Sequence, residues 1–99
     1  MITNLLNILE QAKTLRESYD IEYITARENA RNIYKAVHAL EEKYEENQSE
    51  ETEKKLDEIY DIYEKAYEAE AGAYDKYDKI SSAILKLQDA LDLISELEL

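Results

Sequence analysis

The chain has 99 residues, of which 24 are acidic and 12 basic. It carries a net charge of −12 at neutral pH, no cysteine, no proline, one glycine, and nine aromatic residues that are all tyrosine. That length allows a single domain, residues 1–99. The missing cysteines exclude disulfides, Cys-ligated metals and thiol nucleophiles, and the acidity argues against direct contact with nucleic acid or an anionic membrane.

The first predicted element is a helix over about residues 3–46. Apolar residues recur at alternating steps of three and four: Leu5, Ile8, Ala12, Leu15, Tyr19, Tyr23, and on through Ala26, Ala30, Ile33, Val37, Leu40 and Tyr44. That is the seam of an amphipathic, coiled-coil-like helix, with one stutter at Tyr19 to Tyr23, where a second step of four follows the first. Leu6 and Leu9 add apolar surface beyond what one seam needs and are expected to form part of a contact surface. Arg27, Arg31 and Lys35 make a short basic stripe. His38 is the lone histidine and has no second metal ligand one turn away, so it reads as structural or solvated rather than catalytic.

The seam stops at Glu45–Thr52, reading EENQSEET, where no residue is apolar. This acidic stretch is the predicted tip, with residues 47–50 as the connection. Ser49 is placed to cap the next helix, and Glu50 and Glu51 fall in its first turn, where the helix dipole favours negative charge.

A second helix is predicted over about residues 51–97. Its seam reads Ile59, Ile62, Ala66, Ala69, Ala73, Tyr77, Ile80, Ile84, Leu87, Leu91 and Ile94, again with one stutter, at Ala73 to Tyr77. The C-terminal end adds Leu93 and Leu97 to the surplus apolar surface. Folding the chain at Ser49 and Glu50 pairs Leu40 with Ile59, Ala30 with Ala69 and Leu5 with Ile94, and it sets Arg27 beside Glu70 and Tyr34 beside Tyr63. The expected fold is therefore all-α: a long antiparallel two-helix hairpin that completes a bundle by dimerising or by binding a partner. The alternative is a three-helix bundle broken between Gly72 and Ser82, since a helix glycine costs about 1 kcal/mol relative to alanine.

Tyr60, Tyr63, Tyr67 and Tyr74 fall beside the seam of the second helix, with Tyr34 at the edge of the first. A two-helix hairpin cannot bury such a stripe, and tyrosine suits interfaces because its body is apolar and its tip polar. These rings are the predicted partner interface, together with Leu6, Leu9, Leu93 and Leu97. The second helix also carries an acidic face: Asp57, Glu58, Asp61, Glu64, Glu68, Glu70, Asp75 and Asp78. No phosphate-binding glycine loop, nucleophile triad or Glu-x-x-His metal pair can be placed, so neither an enzyme nor a cofactor is expected.

The expected function is a non-catalytic protein–protein interaction module working by helix–helix packing, as an adaptor, assembly or inhibitor protein. Its partner would be a second copy or another protein. A second expectation follows from the acidic face. In size and charge the chain resembles small phage-encoded anti-CRISPR and anti-restriction proteins, which implies an acidic nucleic-acid mimic that binds a basic nucleic-acid-binding protein. In its hairpin length it also resembles WXG100-like substrates of type VII secretion. Tyr74-x-x-x-Asp78 is similar to their export motif, but the bend lacks their Trp-x-Gly. No run approaches roughly 20 apolar residues, and residues 1–11 lack a signal peptide's basic start, so a cytoplasmic protein is expected.

Overall fold

The computed structural model describes residues 2–98, with the Glu98 side chain left aside. Two helices account for nearly all of it: α1, Ile2–Glu46, and α2, Glu50–Glu98. They lie antiparallel as a hairpin about 75 Å long and 16 by 14 Å across. A helix of 49 residues rising about 1.5 Å per residue accounts for that length. The Cα radius of gyration is 21.9 Å, against about 13 Å for a compact domain of this size. The expected hairpin is thus the observed fold. The three-helix alternative is not, because α2 runs unbroken through Gly72 and Ser82. No proline interrupts either helix, and one exposed glycine is too small a penalty to break 49 residues of otherwise favourable sequence.

The tip is three residues long and closes without a left-handed residue, which is why it needs no glycine. Asn47 N–H donates to the Lys43 carbonyl at 2.9 Å and ends α1, and Ser49 N–H donates to the Asn47 carbonyl at 2.9 Å. Ser49 then caps α2. Its Oγ accepts from Thr52 N–H at 3.2 Å and lies 2.8 Å from Thr52 Oγ1, while its carbonyl accepts from Glu53 N–H at 3.0 Å. Glu50, Glu51 and Glu53 occupy the first turn of α2, and Lys55 reaches back to Glu51 at 3.3 Å.

Burial corrects the expected seam at four places. Ile8, Leu15, Ile62 and Ala69 are exposed, the first three at 49%, 42% and 52%. Their chain neighbours Leu9, Arg16, Tyr63 and Glu70 turn inward instead. With those exchanges both stutters disappear. In α1 the a positions are Leu9, Arg16, Tyr23, Ala30, Val37 and Tyr44, and the d positions Leu5, Ala12, Tyr19, Ala26, Ile33 and Leu40. In α2 the a positions are Leu56, Tyr63, Glu70, Tyr77, Ile84 and Leu91, and the d positions run from Thr52 and Ile59 through Ala66, Ala73, Ile80 and Leu87 to Ile94. Every one of these side chains is buried or half-buried.

The physical reason is continuity. A straight helix drifts about 20° per heptad from a 3.5-residue repeat, and a steady left-handed supercoil cancels that drift along the whole pair. A stutter would swing the seam off its only neighbour. Arg16 and Glu70 are tolerated inside it because their stems pack while their charged ends stay wet.

The core is thin. Among the described residues only Leu9, Ala30, Val37, Leu56, Ala66 and Ile84 are buried, and Ile84 is the most enclosed at 1% exposure. Each helix has one neighbour, so most of its circumference faces solvent.

A candidate interaction face along the tyrosine flank

The unbroken heptads give the hairpin two flanks. On one, the e positions of both helices face each other. In the half nearest the tip these are Arg27, Tyr34 and Glu41 on α1, and Glu53, Tyr60, Tyr67 and Tyr74 on α2. The Tyr60 hydroxyl donates to Glu41 Oε2 at 2.9 Å across the two helices. Glu41 Oε1 also lies 3.4 Å from His38 Nδ1. The bond to the Glu41 carboxylate, followed by partial desolvation and the nearby charges of Glu41 and Asp57, holds the Tyr60 hydroxyl above its usual titration range.

The rings are locked in a chain. The His38 imidazole stands edge-on to Tyr34, with centroids 4.3 Å apart at 85°. Tyr34 meets Tyr63 at 5.8 Å, and Tyr63 meets Tyr67 at 6.5 Å. Nearer the middle, Tyr23 and Tyr74 form an edge-to-face pair at 5.4 Å, with the Arg27 guanidinium 5.4 Å from the Tyr23 centroid. Arg27 Nε is buried and finds no hydrogen-bond acceptor, and among the described residues no ion pair joins Arg27 to Glu70. The sequence pairing of Tyr34 with Tyr63 is thus realised, whereas that of Arg27 with Glu70 yields no salt bridge.

These contacts fix the rings without covering them. Tyr34, Tyr60, Tyr67 and Tyr74 remain 49%, 41%, 58% and 52% exposed, while Tyr63 sits half-buried in the seam. The surplus leucines at the open end do not form one patch. Leu9 is an interior residue, not part of an outward surface, because it occupies an a position. Leu6 lies on the tyrosine flank by heptad position, and exposed Leu93 and Leu97 lie toward the other.

The acidic face also divides. Asp57, Asp61, Glu64, Glu68, Asp75 and Asp78 occupy outer b and f positions and are exposed. Glu58 lies at a c position on the far side, and Glu70 is half-buried in the seam. Lys65 neutralises Asp61 at 3.2 Å and Lys79 neutralises Asp75 at 2.9 Å, a bond that also raises the Lys79 titration range. Tyr74 and Asp78, the pair with export-motif spacing, both lie inside α2.

Two open clefts of about 180 and 280 Å³ mark the surface, one against Tyr23, Tyr67 and Tyr74 and one against Leu15, Lys76 and Ile80. Both are smaller than the roughly 300–1,000 Å³ of ordinary small-molecule pockets. Among the described residues no three His, Asp or Glu side chains converge as a metal site would require, and no helix is long and apolar enough to cross a membrane. Sequence reasoning missed the seam role of Tyr63 and the Glu41–Tyr60–His38 cluster. The repeat of Glu41, His38 and Tyr34 at steps of three and four was the signal for the latter. Comparison with known proteins finds no matching family model, no matching curated protein and no matching solved structure.

Proposed function

We propose that the chain is a non-catalytic protein–protein interaction module that engages another protein through its tyrosine flank. One observation carries this reading: four large aromatic rings are held rigidly on one side of the hairpin, yet each stays about half exposed. Rings already locked by stacking and by the Glu41 bond lose little freedom on binding, so the area they bury is gained at low entropic cost. Two unlike rims border the ridge. Asp57, Glu64 and Asp78 run along α2, and Arg27, Arg31 and His38 run along α1, so a partner helix with oppositely segregated charges fits this face.

The test is a photo-crosslinking side chain placed at Tyr67 or, as a control, at outward-facing Ser82. A protein adduct at position 67 alone, lost when Tyr60 and Tyr74 are changed to alanine, is the expected result. Adducts at neither position, with helical circular dichroism intact, would refute the proposal.

The acidic row of α2 supports a second reading, nucleic-acid mimicry, but less well. The outer carboxylates of α2 follow at steps of three or four, with a gap of seven between Glu68 and Asp75, and give one charge per roughly 6 Å of helix, against one per 3.4 Å along a DNA strand, and two of them are paired with lysine. Binding to a basic groove that collapses steeply with added salt would favour mimicry over the tyrosine flank.

A further inference from the structure

The four residues that the unbroken heptads push out of the seam do not scatter. Ile8, Leu15, Ile62 and Ala69 all fall at g positions, on the flank opposite the tyrosines. The ion pair between Glu22 and Lys76, at 3.8 Å, fixes which g positions face each other. In that register Ile8 comes level with Ala90, Leu15 with Ala83, Asn29 with Ala69, and Ala36 with Ile62. The flank is therefore a second, largely apolar line along the hairpin, interrupted by the Glu22–Lys76 ion pair and by Asn29, and ending near the tip where Lys43 comes level with Lys55.

Its borders are unlike the rest of the molecule. The adjoining c positions of α1 are Asn4, Gln11, Ser18, Thr25, Asn32 and Ala39, with no charge until Glu46. Those of α2 include Lys65, Lys79 and Lys86. Taking g and c positions of both helices together, six lysines stand against four glutamates, so this side is slightly positive in a chain of net charge −12. Gly72 sits among them at a c position, and a methyl group built there would meet no other side chain within 4 Å. Nothing inside the hairpin explains a glycine in the middle of α2.

We infer that this flank is the contact surface for a second copy of the chain, two hairpins packing face to face into a four-helix bundle. Charge selects the occupant. Two chains of −12 repel each other on the acidic sides, and this is the long side on which lysines outnumber carboxylates. Size agrees, because a face 75 Å long and 16 Å wide has room for the roughly 800 Å² per partner of a standard stable interface. Exposed Leu93 and Leu97 extend the line at the open end, and Gly72 gives a close approach near the middle of α2. The tyrosine flank stays outside this contact, so the inference stands or falls separately from the function proposed above.

Sedimentation equilibrium of the whole chain tests it. The expected mass is about twice 11.6 kDa, with association holding or tightening as salt rises. Ile62→Glu with Ala69→Glu, and separately Gly72→Leu, should each weaken association at least tenfold while helical circular dichroism is kept, since all three sites are exposed in the hairpin. Tyr67→Ala with Tyr74→Ala should leave it unchanged. A monomer at every concentration would overturn the inference. So would a dimer that dissolves in salt, or one that responds to the tyrosine changes and not to the g-flank changes.

Discussion

The two flanks of the hairpin use the same helical pair for different surfaces. On the e side, near the tip, large rings are held half exposed by stacking and by the Glu41–Tyr60 bond, between an acidic rim on α2 and a mixed one of Arg31, His38 and Glu45 on α1. On the g side, aliphatic and small side chains alternate with Glu22, Asn29 and three lysines, the α1 border is uncharged as far as Glu46, and the aromatic contact is that of Lys76, 5.8 Å from the Tyr19 centroid. The rings of the tyrosine flank already touch one another within the hairpin, and those contacts are particular to these rings. The aliphatic flank has its particular contacts at one place, where Lys76 meets Glu22 and the Tyr19 ring, and elsewhere relies on length and low net charge. A single thin seam thus supports one surface suited to selective recognition and another suited to plain burial.

The sharpest way to break this comparison is to ask whether seam and flank differ in stability as they do in burial. Ile84→Ala empties the most enclosed seam position and should cost about 2–4 kcal/mol, whereas Ile62→Ala on the g flank should cost little in the hairpin itself. Urea unfolding at low concentration measures both, and equal losses would erase the distinction between seam and flank. Next in size, Glu70→Leu places an apolar side chain at an a position and should stabilise by about 1 kcal/mol, while Ala69→Leu one residue away should do much less. Thermal melting separates the two, and the reverse order would restore the stuttered seam. Tyr34 and Tyr63 should show a coupling of about 0.5–1.5 kcal/mol in a double-mutant cycle, which a merely crowded surface would not give.

The smallest expected effect depends on pH. The Tyr60 hydroxyl is held above its usual range near 10 by its bond to Glu41. The folded state therefore keeps this proton more tightly than the unfolded chain does. The contribution is fully present below about pH 10 and is lost as the pH rises through the raised value. Lys79, raised by Asp75, acts in the same sense at the alkaline end. Tyr60→Phe should flatten the alkaline fall in melting temperature, and an unchanged slope would show that the bond does not persist in solution.

The sequence by itself determined the two helices, the tip, the Ser49 cap and the antiparallel pairing. Each of these follows from local chemistry: apolar spacing, the absence of helix breakers, and a polar stretch with a serine in the right place. It also placed Tyr34 beside Tyr63 and marked Tyr60, Tyr67 and Tyr74 as more aromatic surface than a hairpin can cover. Only the tertiary structure decided the phase of the seam. At Ile8 and Leu9 the local choice is even, at Leu15 and Arg16 or Ala69 and Glu70 it favours the wrong residue, and at Ile62 and Tyr63 both are plausible. Phase is not a local property. It is set by keeping one unbroken contact along the whole helix pair, and that requirement outweighs the preference of any single residue for the interior.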